Sequence, residues 1–365
     1  MDFYTVFIIS SVLAAGGCLI LNRFAGEFGL VDHPGGRKDH AAPIPLVGGL
    51  AVAFAALCMS LVALPAIRDQ WSFPAAAAVL IAAGALDDSR DLRPVIRIFM
   101  QIVASLIMIF GAGVELNSVG NLAGFGSIGM WVLSVPATVF AVVGVINAVN
   151  MIDGEDGLAG TIIVVALGWY GWMAYLTGAA NLAMGAIILC GALTGFLVFN
   201  LRLPWRPQAC VFLGDAGSTL LGFVLAWMAI ALTQGPGQSV PPIKEIPPIC
   251  ALWVVLLPLA DAVSLIARRL RRGRSSFEAD REHIHHLLRA LGLTHTQMLL
   301  TLTVVSAVFG AVGFFGWRLH VPEPVLFWAF FCLYFAYHFT VKAIWRRLYE
   351  QRRVPVPAAT PVPRE

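Results

Sequence analysis

The chain alternates between long apolar runs and short polar segments. Eleven of the runs extend for about twenty residues, which is enough for an α-helix to cross a hydrocarbon core of about 30 Å. A helix also satisfies its own backbone hydrogen bonds, as any segment in lipid must. The pattern therefore predicts eleven transmembrane helices, over residues 3–22, 45–64, 72–86, 95–113, 129–148, 157–177, 181–200, 217–234, 248–267, 297–316 and 324–343.

The composition supports this interpretation. With 59% hydrophobic and 12% charged residues and a mean hydropathy of +0.81, the 365-residue chain has too few polar side chains to cover a water-soluble globule of its size. The six cysteines form no C-x-x-C pair and indicate no disulfide scaffold. The expected fold is an all-α polytopic membrane protein with one transmembrane domain over residues 1–343 and a basic, Pro-rich, disordered cytoplasmic tail over 344–365.

The basic residues predict the orientation of the helices. If the segment 23–44 is cytoplasmic, 21 of the 24 Lys and Arg residues lie on the cytoplasmic side, and only Arg68, Lys244 and Arg318 lie outside. By the positive-inside rule, the N-terminus is then outside and the C-terminus is cytoplasmic. The small net charge of +3 conceals this asymmetry, so anionic lipids and anionic substrates are expected partners, and nucleic acid is not.

Four polar clusters lie at the predicted cytoplasmic ends of the helices or in the predicted cytoplasmic loops. They are DDSRD (87–91), NAVNMIDGEDG (147–157), FLGDAGS (212–218) and REHIHH (281–286). Carboxylates placed only for solubility would be spread over both faces, whereas the outer face carries only a few scattered ones. The threading of the chain therefore predicts an active site at the cytoplasmic face of the membrane.

The first cluster brings several carboxylates together. On a helix, the spacing places Asp87 and Asp88 on the same face as Asp91, and like charges at that distance repel unless a cation neutralises them. Oxygen ligands of this kind suit Mg²⁺ or Mn²⁺. The alternative is a solvated helix end whose acids are balanced by Arg90 and Arg93.

In the second cluster, polar residues recur at every third position. They are Asn147, Asn150, Asp153 and Asp156. Gly154 and Gly157 interrupt the helix and let backbone N–H groups approach an anion at the start of the next helix. A tight turn with Asp156 as N-cap would explain one Asp and one Gly, but it would not explain two asparagines at the end of an apolar run.

The other clusters also have two interpretations. Asp215, flanked by glycines, is either an ordinary N-cap or a carboxylate in a metal–phosphate pocket. His283, His285 and His286 are not spaced to bind zinc from one helical face, and they favour hydrogen bonding to phosphate oxygens. The Gly- and Pro-rich segment containing Lys38 and His40 is either a positive-inside signal or a phosphate-binding loop. Asp261 lies within an apolar run, and its role is open.

Taken together, these motifs resemble those of the polyprenyl-phosphate N-acetylhexosamine-1-phosphate transferases, over about residues 28–343. The similarity is greatest to the bacterial undecaprenyl-phosphate GlcNAc-1-phosphate transferases. The resemblance implies transfer of GlcNAc-1-phosphate from UDP-GlcNAc to undecaprenyl phosphate with release of UMP. It also implies a location in the bacterial inner membrane and a place at the first membrane step of a cell-surface glycan pathway such as that of O-antigen lipopolysaccharide.

The resemblance also implies residue roles. Asn150 and Asp215 match Mg²⁺-binding positions, where Mn²⁺ could substitute. The expected catalytic residues are Asp87, Asp88, Asp215 and His283. The expected substrate-binding residues are Asn147, Asp153, Asp156, Arg269, His285, His286, Lys38 and His40. Direct attack by the lipid phosphate is favoured over a covalent aspartyl intermediate, and formation of a homodimer is left open.

Three alternatives remain. A phospho-MurNAc-pentapeptide transferase would usually carry three consecutive histidines and a lysine at position 91, where this chain has HIHH and Asp91. An aspartate-rich membrane prenyltransferase would carry a second D-x-x-x-D motif. A transporter would place its carboxylates near the middle of the membrane rather than at one face.

Overall fold

The computed structural model describes residues 1–34, 42–64, 71–234, 246–273 and 282–351. Within these ranges the chain is mostly α-helical, with one antiparallel pair of two-residue strands, β1 (Val31–Asp32) and β2 (Ile44–Pro45). The helices are α1 Phe3–Phe24, α2 Gly48–Ala63, α3 Ser72–Arg90, α4 Pro94–Ala112, α5 Ser134–Ile152, α6 Leu158–Thr177, α7 Ala180–Asn200, α8 Gly214–Gln234, α9 Pro248–Val254, α10 Leu256–Arg271, α11 Ile284–Ala290, α12 His295–Arg318 and α13 Glu323–Glu350. The prediction of an all-α membrane protein is confirmed.

Eight helices in the described ranges are long and apolar enough to cross a membrane. They are α1, α4, α5 with the 3-10 turn before it, α6, α7, α8, α12 and α13. The bent pair α9 and α10 makes a ninth candidate. The helix α2 is a shorter apolar helix, and α3, which carries two aspartates and an arginine in its last turn, is not among the eight. The count of eleven spans therefore stays a prediction.

The predicted span over residues 248–267 is wrong as a single continuous helix. The chain instead forms α9 and α10, whose axes differ by 78° around Val255. Pro258 explains the break, because it has no N–H to donate to the carbonyl of Val254 and its ring would clash with that carbonyl in a continuous helix. In the first turn of a new helix, the same proline is tolerated.

The helix α8 lies at the centre of the bundle and is almost wholly buried. At its start it is in backbone contact with α2, because a Cβ atom at Gly49 would overlap the backbone of Gly217. The backbone N–H groups of Gly48 and Gly49 also donate to the carbonyls of Phe212 and Leu213, at 2.9 and 2.8 Å. These contacts fix the position of the GDAGS segment.

The last helix continues beyond the predicted domain boundary at residue 343. The helix α13 ends at Glu350, and Trp345 and Leu348 are buried against the rest of the protein. Residues 344–350 of the predicted tail are therefore part of this helix. The remaining tail, residues 352–365, lies outside the described residues.

Candidate active site

Four helix ends meet in a cluster of carboxylates, one amide and one guanidinium, which we call the carboxylate cluster. It consists of Asp87 at the end of α3, Arg97 in the first turn of α4, Asn150 at the end of α5 and Asp215 at the start of α8. The guanidinium lies at its centre. Its Nε atom is 2.9 Å from Asp87 Oδ2, and its Nη2 atom donates to Asn150 Oδ1 at 3.0 Å and lies 3.8 Å from Asp215 Oδ1.

Asn150 and Asp215 are in direct contact. The amide nitrogen of Asn150 donates to Asp215 Oδ1 and also to the hydroxyl of Ser218, at 2.9 Å for the latter. Because Asp215 lies in the first turn of α8, the partial positive charge at that helix end stabilises its carboxylate. Three of the residues expected to act together, Asp87, Asn150 and Asp215, are therefore adjacent.

Asp88 is held differently from its neighbour Asp87. Its two carboxylate oxygens accept hydrogen bonds from the backbone N–H groups of Asp215, at 2.8 Å, and Ala216, at 3.2 Å. It therefore caps the start of α8 from a different helix. A Cβ atom at Gly84, one turn earlier on α3, would overlap the backbone of Ala216, so the two helices are also in backbone contact here. Asp88 thus fixes the position of Asp215.

The expectation that Asp91 shares a helical face with Asp87 and Asp88 is wrong. The helix α3 ends at Arg90, and Asp91 is an exposed C-cap with a left-handed φ of 51°. Pro94 prevents the helix from continuing through Arg93, since a proline disfavours helical conformation in the residue before it. Asp is one of the residues that tolerates the left-handed region.

Asn147 lies one turn before Asn150 but contacts a different partner. Its amide nitrogen donates to Gln101 Oε1 at 2.7 Å and to the carbonyl of Val143 at 2.8 Å. Gln101 is buried on α4, and its own amide nitrogen has no hydrogen-bond partner among the described residues. A small cavity lined in part by Gln101, Arg97 and Asp87 lies between Gln101 and the carboxylate cluster.

Asp153 follows α5 directly, at its C-cap. Burial raises the pKa of this carboxyl to about 8, and repulsion from the carboxylates of Asp215 and Asp88 adds to the increase. Such a group ionises readily only when a positive charge is close by. The position of Asp153 therefore extends the acidic region from the carboxylate cluster into the loop 153–157.

Asp156 already has partners for its carboxylate. Its Oδ2 atom accepts from Arg202 Nε at 2.7 Å and from the backbone N–H of Ala209 at 3.2 Å. Its backbone carbonyl is 3.0 Å from His295 Nε2. These bonds join the loop after α5 to the ends of α7 and α12, so the structure gives Asp156 a local structural role. Its expected contact with the nucleotide stays a prediction.

The three histidines lie beside the same loop. His285 is buried, its ring lies 5.3 Å from that of His283 and 4.2 Å from that of His286, and neither of its nitrogens has a hydrogen-bond partner among the described residues. A Cβ atom at Gly154 would lie only 2.9 Å from its Nε2 atom, so only glycine leaves room for the ring. Burial, with the charges of His286 and His283, lowers the pKa of His285 to about 3. This histidine is therefore neutral at pH 7.

Of the other expected site residues, Arg269 is buried near the end of α10. Lys38 and His40 lie outside the described residues.

Sequence reasoning missed the role of Arg97. It counted this residue only as one of the cytoplasmic basic residues, although Arg97 lies inside the predicted fourth span. An ionisable residue within an apolar run is expensive and is a functional candidate by default, so the signal was present. Gln101, one turn later, is an uncharged polar residue in the same apolar run and is therefore a weaker functional candidate.

The donors of the carboxylate cluster are chemically suited to a hard divalent cation. No three His, Cys, Asp or Glu side chains in the described ranges are close enough together to hold a metal ion. Two carboxylates and one amide oxygen do converge here, and oxygen ligands of these types fit Mg²⁺. The guanidinium of Arg97 offsets one of the two carboxylate charges, so the cluster already attracts positive charge.

Comparison with known proteins gives consistent matches. The sequence profile of glycosyl transferase family 4 matches residues 70–233, which include the carboxylate cluster. Similar bacterial proteins are named undecaprenyl-phosphate alpha-N-acetylglucosaminyl 1-phosphate transferase. That of Haemophilus influenzae is 37% identical over 90% of this chain and 91% of its own length. Those of Yersinia pestis and Escherichia coli K12 are 37% and 34% identical, over 90% and 94% of this chain and 88% and 91% of their own lengths.

Proposed function

This chain belongs to glycosyl transferase family 4, and from that premise we propose that it transfers GlcNAc-1-phosphate from UDP-GlcNAc to undecaprenyl phosphate, releasing UMP. The product is undecaprenyl-diphosphate-GlcNAc, a lipid-linked sugar that a cell-surface glycan pathway would extend.

The observation that carries this proposal is the carboxylate cluster. Both reactants are anionic, and transfer of a phosphoryl group between them depends mainly on positioning and charge neutralisation. Helix ends that bring Asp87, Arg97, Asn150 and Asp215 within a few ångströms provide both. A cluster at the ends of membrane helices is also where a lipid phosphate and a water-soluble nucleotide could meet.

Mg²⁺ would be the cofactor in this proposal, with Mn²⁺ as a substitute. Asp87, Asp215 and the amide oxygen of Asn150 are the residues that would hold it. When bound, it would neutralise negative charge on the diphosphate.

The residues of the chain have separate tasks. Arg97 binds a phosphate oxygen once its carboxylate partners are otherwise neutralised, because a guanidinium matches phosphate geometry. Asp88 holds Asp215 in place through the backbone of α8. The acceptor needs little activation, since the second pKa of a phosphate monoester is about 6 and the group is mostly dianionic at pH 7. Direct attack by the lipid phosphate therefore requires no covalent intermediate.

The site faces the cytoplasm in this proposal, within the bacterial inner membrane. The asymmetry of the basic residues supports that orientation, with the N-terminus outside and the C-terminus inside. A nucleotide diphosphate cannot cross a bilayer unaided, so a site open to the other side would have no donor.

The test is an assay of the purified protein in detergent with UDP-GlcNAc, undecaprenyl phosphate and Mg²⁺. We expect UMP and lipid-linked product in equal amounts, and no UMP without the lipid phosphate. Release of UDP would instead indicate transfer of the sugar alone. Faster reaction with UDP-MurNAc-pentapeptide or UDP-GalNAc would assign a different donor to the same site.

A further inference from the structure

Asp261 is a buried carboxylate to which the proposed function gives no task. It lies on α10 and is only 1% exposed. Its Oδ1 atom accepts hydrogen bonds from the backbone N–H of Ile284, at 3.0 Å, and from the hydroxyl of Tyr337, at 2.8 Å. Its Oδ2 atom is 2.8 Å from Nδ1 of His283. A carboxylate in such a place is costly unless it is fully paired, and two of the three bonds here hold the segment that carries the histidines.

We propose that Asp261 and Tyr337 are positioning residues that hold His283 as an imidazolium, whose Nε2–H donates to a phosphate oxygen of the substrate. This inference rests on the proposed function, which supplies the phosphate. Tyr337 and the Ile284 N–H occupy Oδ1 of Asp261, so the carboxylate cannot turn away from the ring. Asp261 then fixes the orientation of His283 and stabilises its positive charge.

The chemistry follows from the hydrogen-bond pattern. An ionised carboxylate only accepts, so Nδ1 of His283 must carry the proton. Because Nδ1 carries this proton, Nε2 is an acceptor in the neutral ring and becomes a donor only in the imidazolium. A donor is what an anionic diphosphate requires, and a hydrogen bond from a charged donor is about twice as strong as a neutral one.

The location of the ring suits this task. The rings of His283 and His285 are stacked nearly parallel, 5.3 Å apart, and His285 packs against Gly154 in the loop 153–157. His283 therefore lies one ring away from the acidic loop. Because His285 is neutral, it separates the imidazolium from that loop without repelling it.

A purely structural explanation is weaker, because a neighbouring network already joins the same segments. Ser264 is hydrogen-bonded to His338 Nδ1 at 2.9 Å, and Arg268 donates to Ser264 at 2.6 Å and to the carbonyl of Glu282 at 2.8 Å. This network connects α10 with α13 and with the start of the histidine segment. None of these bonds involves the ring of His283, so Ser264 provides a matched control.

The experiment compares variants of the full-length protein in detergent. Asp261→Asn places an amide N–H against Nδ1 and so forces the proton to Nε2, with loss of the positive charge. We expect kcat to fall by about 10- to 100-fold with less than about a threefold change in KM for UDP-GlcNAc. Tyr337→Phe should cause a smaller loss of the same kind. Ser264→Ala should leave both constants close to those of the wild type.

A double mutant tests whether Asp261 acts through His283. The variant Asp261→Asn combined with His283→Ala should be no slower than His283→Ala alone. If the decrease in kcat of the double mutant is the product of the decreases in the two single variants, Asp261 acts independently of His283 and the proposal is wrong. If Asp261→Asn does not fold, the same cycle with Tyr337→Phe decides.

A second measurement needs no substrate. In protein labelled with ¹⁵N-histidine, the signal that His283→Ala removes should show protons on both Nδ1 and Nε2 in the wild type and on Nε2 alone in Asp261→Asn. A wild-type ring that lacks the proton on either nitrogen would overturn the inference. This measurement separates the two proposals, because absence of UMP release would refute the proposed function and leave the position of the proton unchanged.

Discussion

Arg97 donates a hydrogen bond to the amide oxygen of Asn150 across 3.0 Å, which joins the first turn of α4 to the last turn of α5. The same guanidinium contacts Asp87 and Asp215, so a single positive charge is shared between two carboxylates. A divalent cation bound to those oxygens would compete with Arg97 for them. Arg97 would then be released towards the substrate.

Arg97→Gln tests both the competition between Arg97 and the cation and the release of Arg97 towards the substrate. We expect kcat to fall by about 100-fold because a charged donor to phosphate is lost, and we expect half-maximal activity at a lower Mg²⁺ concentration because a competitor is gone. Arg93→Gln is the matched control, since Arg93 is exposed and directly precedes the same helix α4. An increased Mg²⁺ requirement in Arg97→Gln would refute the competition.

Asp215→Asn tests the metal itself. The substitution preserves the size of the side chain and removes the charge that a cation would need, so activity should fall by at least about 100-fold while the protein remains folded. EDTA should abolish wild-type activity, and Mg²⁺ or Mn²⁺ should restore it. Full turnover in EDTA would contradict the proposed cofactor.

Arg202→Ala tests the structural role of Asp156. Removing the guanidinium takes one hydrogen bond and one ion pair from the carboxylate of Asp156 and leaves its hydrogen bond with the backbone N–H of Ala209. The free energy of unfolding should therefore fall by about 1–3 kcal/mol. The thermal unfolding midpoint in detergent measures this change. An unchanged midpoint with a large increase in KM for UDP-GlcNAc would instead assign the pair to nucleotide binding.

His285 predicts how stability depends on pH. Its pKa is about 3 in the folded protein and 6.5 for an unperturbed histidine, so below pH 6.5 the unfolded state binds more protons. This group should therefore destabilise the fold progressively as the pH falls from 6.5 towards 3, by about 2 kcal/mol at pH 5. His285→Leu should flatten the decrease of the unfolding midpoint between pH 7 and pH 5, whereas the exposed control His33→Leu should not. Identical pH slopes for His285→Leu and the wild type would show that His285 is accessible to protons.

Cysteine labelling tests the orientation. In a background without the six native cysteines, Asn117→Cys and Gly235→Cys should react with an impermeant thiol reagent on intact cells. Ser276→Cys and Ala358→Cys should react only after the cells are opened. Labelling of Ser276→Cys from outside would place the donor and the site on opposite sides of the membrane.

The local pattern of the sequence predicted most of the helices. Each of the eleven apolar runs coincides with helix in the structure, because helices in lipid are defined by length and composition alone. The motif residues Asp87, Asn150 and Asp215 also came together as expected. The bend at Val255 was missed, although Pro258 marks it, because a proline in a membrane helix does not by itself fix a bend of 78°.

The local sequence pattern could not predict the contacts between segments that are distant in the sequence. Asp87 and Asp88 are adjacent in sequence, yet one pairs with Arg97 and the other caps α8, 127 positions away. The partners of Asp261 come from α13 and from the segment before α11. These pairings depend on how helices pack, and hydrophobic periodicity carries no information about which polar residues will face each other.

The backbone contacts of α8 with its neighbours limit where the sequence can change. Gly49, Gly84 and Gly217 lie where three helices touch main chain to main chain, next to Asp215, and even one added methyl group would force the backbones apart. Exposed apolar positions on α1 or α13 have no comparable restriction, since many hydrophobic side chains would serve there equally well. Over generations of mutation, the membrane-exposed surface can therefore diverge widely, while these three positions remain glycine for as long as the site keeps its geometry.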